Sequence, residues 1–429
     1  MAIINFNSIS GVSTISVASS ITVGNNVSIG TDRVTATTFT GNVTGNVTGN
    51  VNSTGVTTVT TLNATSIIGV TTAGITTAYV TSINNGPISG VRNRIINGSM
   101  VVDQRNNGAS VTANGNTPYS VDRWYGDENT DGAFTLQRSG TAPVGFSSSL
   151  LFTTSTADST IGSGQYAVVA TVIEGYNIAD FNWGSANAKT VTLSFWTRSS
   201  LTGTFGGSIR NYGVTRSYPF TYSINSPNTW EYKTIKITGD TSGTWLIDNG
   251  WGLNILFDLG SGSTYRGGTA NAWNGANYHG PSGTVSPIET LNATWYLTGV
   301  QLEVGDTASL FEHRSYGQEL SLCRRYFQRI YDPPMRGVGT GGTNGGASRL
   351  CLFFSDTMRA LPTLTISGTF TFWNGAATQT GGTVSGYFQG GPDGMDLDIT
   401  ISGAFTQGQA VCAYCQASTS KYIDLTADF

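Results

Sequence analysis

Large aromatic side chains with polar edges gather in two stretches rich in glycine and small polar residues. The first runs from Tyr265 and Arg266 through Trp273 to Tyr278 and His279, set among Gly, Ser, Asn and Thr. The second holds Trp373, Tyr387 and Phe388, flanked by glycines. Rings of this kind stack on the faces of sugars while their polar edges reach hydroxyl groups. Tyr265, Trp273, Tyr278, His279, Trp373, Tyr387 and Phe388 are therefore the candidate glycan-binding residues. The alternative for the first stretch is a long loop whose aromatics pack back on their own domain or on a neighbouring chain.

Other chemistry finds less support. Gly337-Val-Gly339-Thr-Gly-Gly342 fits a dinucleotide-binding spacing. That spacing has meaning only between a strand and a helix, and here Pro333-Pro334 precedes it and more glycine follows, so a flexible loop is expected. Cys412-Ala-Tyr-Cys415 has zinc or redox spacing but no second pair. The four cysteines are expected to be free, mostly buried thiols. A nucleophilic triad would have to use His279 or His313, the only two histidines, and no pair of carboxylates stands beside an aromatic subsite as a glycosidase requires. Asp393, Asp396 and Asp398 follow a Gly-Gly-Pro turn and fit a solvated strand face better than a calcium loop. No catalytic residue, metal or cofactor is expected. Sequons such as Asn42-Val-Thr44 follow from an Asn- and Thr-rich composition.

The elements that must position these residues are strands. Of 429 residues, 56 are Gly and only 11 % are charged, with a net charge of −4. Low charge combined with many Thr, Val, Ile, Tyr and Trp describes an all-β protein. The acidic balance argues against nucleic acid or an anionic membrane surface as partner. Nothing approaches 18 consecutive apolar residues, and neither a membrane span nor a signal peptide is expected.

Residues 1–93 have their own texture. Thr-Gly-Asn-Val repeats three times from Thr40 to Val51, and a five-residue repeat covers Gly69 to Ala78. Three glycines exclude a stable helix, at about 1 kcal/mol each relative to Ala. In an extended chain one valine in four residues makes a thin seam. Burying a Val returns roughly 1.5–3 kcal/mol, whereas ordering four residues costs on the order of 4–8 kcal/mol. Several copies side by side are needed, so the segment reads as an oligomeric stalk.

From Arg94 the strands alternate clearly. Val191, Leu193 and Phe195 share one face, as do Leu253, Ile255, Phe257 and Leu259, while Val300, Leu302 and Val304 make a third apolar set. Many short strands over residues 94–314 argue for a β-sandwich. Ser315 to Gln328 has a capping-box start and an apolar stripe at Leu320, Cys323, Phe327 and Ile330, which predicts a helix with Arg324, Arg325 and Gln328 facing water. Residues 331–429 form a smaller β unit, with strands at Ala360–Ile366, Leu397–Ile401 and Tyr422–Leu425.

Several motifs in these regions carry a family likeness. Arg94-Ile-Ile-Asn-Gly-Ser-Met100 with Gln104, Ser120-Val-Asp-Arg-Trp124, Leu193-Ser-Phe-Trp-Thr-Arg-Ser199, Thr298 to Gly305, Phe311-Glu-His-Arg-Ser-Tyr316 and Cys323-Arg-Arg-Tyr-Phe327 resemble the jelly-roll domain of phage tail fibres. That domain is similar in design to carbohydrate-binding modules, and the Gly-Asn-Val-Thr stalk resembles those of cyanobacterial phage fibres. The resemblance implies a homotrimer with a stalk for virion attachment at 1–93, a jelly-roll sandwich at 94–314, a helical collar at 315–330 and a β tip at 331–429. It implies a receptor-binding virion protein, assembled in the host cytoplasm, joined to other tail or baseplate proteins through its N-terminal region. The expected work is adhesion to a host surface polysaccharide, with recognition in the distal unit. A tailspike depolymerase and a purely structural tail component are the alternatives.

Overall fold

A computed structural model describes residues 92–331, 338–340, 347–367, 370–373, 378–400, 410–414 and 422–429. The repeats of the stalk, Asn374, most of the Gly337–Gly346 stretch and Cys415 lie outside the described residues. Eleven strands build the first unit: β1 (Val111–Ala113), β2 (Trp124–Glu128), β3 (Ala133–Ser139), β4 (Ser149–Thr156), β5 (Tyr166–Glu174), β6 (Val191–Ser199), β7 (Gly203–Asn211), β8 (Ser217–Ile224), β9 (Glu231–Ile237), β10 (Trp251–Ser261) and β11 (Thr294–Val304). They form two antiparallel sheets, ordered β1-β3-β4-β11-β6-β9 and β2-β5-β10-β7-β8. This is a jelly-roll sandwich, and it follows from the alternation in the sequence. Val191, Leu193 and Phe195 from one sheet meet Leu253, Ile255, Phe257 and Leu259 from the other in a single buried core. The ring of Phe257 lies 5.1 Å from that of Phe195 and 5.2 Å from Trp295.

Strand β11 changes face halfway. Trp295 and Leu297 are buried at odd positions and Val300, Leu302 and Val304 at even ones. A register shift against β6 between Thr298 and Gln301 makes the switch. Gly299 sits in the bulge at φ +62°, where a side chain would be strained and would strike the Phe146 ring.

The motif residues at 94–100 and 120–124 form a packed corner. Asn97 Nδ2 donates to the carbonyls of Val102 and Asp122, and its own carbonyl accepts from Trp124 Nε1. Gly98 lies so close to β11 that a Cβ would come 2.2 Å from the Val300 carbonyl oxygen. Gln104 bridges the Asp122 carboxylate and the Phe327 carbonyl. These residues are spaced for packing.

The helix is shorter than its apolar stripe suggests. α1 spans Tyr316–Arg324, with Ser315 Oγ accepting from the Gln318 amide. From Phe327 to Tyr331 the chain is strand β12, and Gln328, expected in water, is buried. Its Nε2 donates to the Asp356 carbonyl at 2.8 Å. Antiparallel pairing of Phe327–Tyr331 with 422–426 decides the conformation there, overriding the helical pattern.

The remaining strands are β13 (Val338–Thr340), β14 (Ala347–Phe353), β15 (Thr363–Ser367), β16 (Phe370–Trp373), β17 (Thr378–Gly390), β18 (Gly394–Thr400), β19 (Ala410–Tyr414) and β20 (Tyr422–Thr426). They make a three-stranded sheet, β12-β20-β15, and a six-stranded sheet, β13-β19-β16-β17-β18-β14. Residues 338–340, expected in a flexible loop, are a strand paired with Ala410–Cys412. A small core holds Leu352, Met358, Met395, Leu397, Ile423 and Leu425. Of the free thiols described, Cys323 is on the buried side of the helix, as expected, but Cys351 is exposed.

A charged junction ties the C-terminal strand region to the sandwich. Asp428 accepts from Arg123 Nη1 at 2.7 Å and from Arg105. Arg325 forks onto Glu174 at 2.8 and 2.5 Å, and Tyr326 donates to the same carboxylate at 2.6 Å.

Candidate functional site

The outward face of the five-stranded sheet carries an aromatic and charged cluster. Because β2 alternates, Trp124 enters the core while Tyr125 and Asp127 point outward. The pairings Tyr125–Ala170–Leu256–Ser208 and Asp127–Val168–Asp258–Gly206 run as parallel rows across β2, β5, β10 and β7. Val168, Ala170 and Leu256 form a buried floor, with the half-buried rings of Tyr125 and Tyr166 packed on it.

The segment 262–286 crosses the other half of this face. Its anchor is Arg266, whose Nε donates to the fully buried Asp258 at 2.6 Å and whose Nη1 reaches the Thr284 carbonyl and Ser286 Oγ. Asn274 bridges to Ser217 on β8. The loop thereby presents Tyr265, stacked on His279 at 4.4 Å, to Tyr166, which meets both rings edge-on at 5.2 and 5.1 Å. The result is a step in the surface, walled by Tyr166 and Tyr265 and flanked by Tyr125, with Tyr119 5.4 Å beyond it.

Polar groups converge on the same place. Arg210, 9 % exposed, donates to Asn254 Oδ1 at 2.9 Å and to Asn277 Oδ1 at 2.7 Å. Asn254 in turn donates to the Tyr125 hydroxyl at 3.1 Å. Asp127 accepts from Thr117 Oγ1 at 3.3 Å and from the Tyr166 hydroxyl. Burial raises the Asp127 carboxyl above the usual carboxylate range despite these donors. Burial likewise pushes Tyr125 and Tyr166 to about 12, so both hydroxyls stay protonated and can donate. His279 is held well below its ordinary value by burial and by Arg210 and Arg266, and is neutral at physiological pH.

The sequence-predicted residues therefore separate. Tyr265 and His279 stand together at the step, His279 buried behind Tyr265. Tyr278 is half-buried against Gly267 and Gly268. Trp273 belongs elsewhere: its ring lies 5.2 and 5.4 Å from Trp183 and Trp245, its Nε1 donates to the Thr238 carbonyl at 2.7 Å, and it packs against the core. Trp373 ends strand β16, paired with Thr378 and Cys412, and Tyr387 and Phe388 lie within β17 at a register shift. These three were expected on loops. Tyr125, Asp127, Tyr166 and Arg210 were missed, because each alternates with core residues in its strand. Their signal would have been the polar phase of β2, β5 and β7, readable only once the strand order is known.

The arrangement can stack a flat ring and hydrogen-bond its edge. Acid–base cleavage of a glycosidic bond uses a pair of carboxylates. Asp258, on the same row as Asp127, is fully buried and engaged by Arg266 and by the Gly260 amide. Among the described residues no group of three or more His, Cys, Asp or Glu side chains is placed to hold a metal ion.

No protein-family model and no curated protein matches the sequence. Among solved structures, the enzymatically active domain of tailspike protein 4 from Bacteriophage CBA120 is similar at 14 % identity and a TM-score of 0.26, over 49 % of this chain and 21 % of that one. This chain thus spans about a fifth of that structure's length. A family 61 carbohydrate-binding module in complex with β-1,4-galactotriose is similar at 9 % identity and a TM-score of 0.26, over 50 % of this chain and 99 % of that one. The family 11 module of Clostridium thermocellum, in complex with a mixed-linked tetrasaccharide, matches at 14 % identity, with a TM-score of 0.23, over 48 % of this chain and 98 % of that one.

Proposed function

We propose that this protein is a phage tail-fibre adhesin that binds host surface polysaccharide through the outer face of its jelly roll, without cleaving it. The observation that carries the glycan reading is the tyrosine-walled step at Tyr125, Tyr166 and Tyr265, edged by Asp127, Arg210 and Asn254. The phage-fibre part rests on the motifs from Arg94 to Phe327 and on the stalk repeats. In this reading the protein belongs to the virion, with residues 1–93 joining other tail or baseplate proteins.

The adhesin works as a homotrimer. Val144 and Leu310 are almost wholly exposed, at 102 % and 89 %, beside the touching rings of Phe146 and Phe311. Glu312, next in sequence, accepts the Asn93 amide at 2.8 Å, so the first described residues of the chain lie beside this apolar patch. A second copy of the chain is its occupant, brought there by the shared stalk. Each weak glycan site then gains from presentation in threes through effective concentration.

The test is adsorption of purified full-length protein to host cells. The wild type should bind, and the double variant Tyr125→Ala, Tyr166→Ala should lose most of that binding while remaining folded. Undiminished adsorption by the folded variant would move the receptor site away from this face. Shortening of the host polysaccharide on incubation would replace adhesion by depolymerisation.

A further inference from the structure

Arg210 carries more charge than its surroundings answer. Its guanidinium has five N–H donors, and the two partners found, Asn254 and Asn277, are neutral amides. Its Nε is buried without any partner. Among the described residues no carboxylate lies within ion-pairing distance, and Asp127, the nearest in electrostatic effect, is occupied by Thr117 and Tyr166. The contrast lies on the same face: Arg266 is equally sheltered and has Asp258 at 2.6 Å. A buried guanidinium without a counter-charge is costly. The proposed glycan site is where this one stands, ringed by Tyr125, Tyr166 and Tyr265.

We propose that the site selects an acidic glycan, a polysaccharide bearing sugar carboxylates, whose carboxylate supplies the counter-ion that Arg210 lacks in the protein. This deepens the glycan reading and rests on it. Tyr166 and Tyr265 take the ring face, and the protonated Tyr125 hydroxyl donates to a sugar oxygen. Arg210, preset by two amides, meets the carboxylate with its planar fork. Burial makes the guanidinium harder to keep charged, and a bound carboxylate reverses that pressure.

The experiment uses the full-length protein and matched polymers: alginate, polygalacturonate and hyaluronan, each beside its carboxyl-reduced, neutral counterpart. Calorimetric titration should show at least one acidic polymer bound ten-fold or more tightly than its reduced form, with the preference shrinking as salt is raised. Arg210→Met, shown to be folded by its melting curve, should bring that ratio to about one. Equal or tighter binding of the neutral forms by the wild type overturns the acidic preference and leaves the glycan reading standing. Binding to none of the six overturns both. The polymer comparison needs no variant, so it decides even where Arg210→Met fails to fold.

Discussion

Asp428→Asn tests whether the last turn of the described chain holds the two β units together. The Asp428 carboxylate is 4 % exposed and accepts from Arg123, itself 2 % exposed, and from Arg105 at 12 %. Arg123 has further ties, a bond to the Val172 carbonyl at 2.6 Å and a face-on contact with Tyr326 at 3.6 Å, so the guanidinium cannot swing to water when its partner is lost. Removing one member of such a buried pair leaves an uncompensated charge and costs about 3–5 kcal/mol. For a unit of this size about 2–3 °C of melting temperature accompanies each kcal/mol, which places the expected drop at roughly 6–15 °C. Thermal melting followed by circular dichroism reads it, with Asp306→Asn as control. Asp306 pairs with Lys236 where both side chains are about half exposed, and its loss should leave the midpoint in place. A melting point for Asp428→Asn within 2 °C of wild type would refute the reasoning. So would a stable sandwich cut off before residue 331, which would leave Arg105 and Arg123 without this carboxylate.

Three further outcomes are expected. Trp273→Ala should destabilise the sandwich by about 2–3 kcal/mol in urea unfolding, since its ring packs with Trp183 and Trp245, and glycan affinity of the folded protein should not change. Gly98→Ala forces a Cβ against the Val300 carbonyl and should cost at least about 2 kcal/mol by the same measurement. His279 has a folded-state value depressed well below 6.5, so below pH 6.5 the unfolded chain takes up a proton that the folded chain refuses. Stability should therefore fall as pH drops below 6.5, by up to about 1.4 kcal/mol per pH unit, and His279→Phe should flatten that slope in denaturation curves taken between pH 7 and 5.

Sequence pattern revealed the sandwich because one face of each strand must be apolar. Val191, Leu193 and Phe195 needed no tertiary knowledge to place. The end of the helix was hidden because Phe327 and Ile330 continue the helical spacing, and only pairing with Thr426 and Ile423 makes this stretch a strand, in which the two face opposite sides. The site was hidden for a different reason. Tyr125, Tyr166 and Arg210 come from three strands far apart in sequence, and each looks like an ordinary polar-phase residue until the order β2-β5-β10-β7 sets them side by side. Trp273 misled in the opposite sense. Its polar, glycine-rich neighbours describe the loop, while its own position is set by Trp183 and Trp245. Tyr265 and His279 were singled out by the composition of their loop, and the structure stacks the two rings at 4.4 Å, which the sequence alone does not show.

The central claim is that the tyrosine step on the outer face of the five-stranded sheet binds polysaccharide. Tyr166→Ala removes a stacking surface and the hydroxyl that holds Asp127, a loss on the order of 1–2 kcal/mol, or roughly five- to thirty-fold in affinity. The direct measurement is calorimetric titration of purified host surface polysaccharide into the wild type and into Tyr166→Ala, both shown to be folded by their melting curves. Saturable binding is expected, weakened by that factor in the variant, with polymer length unchanged after incubation. Equal affinity in the two proteins would contradict it.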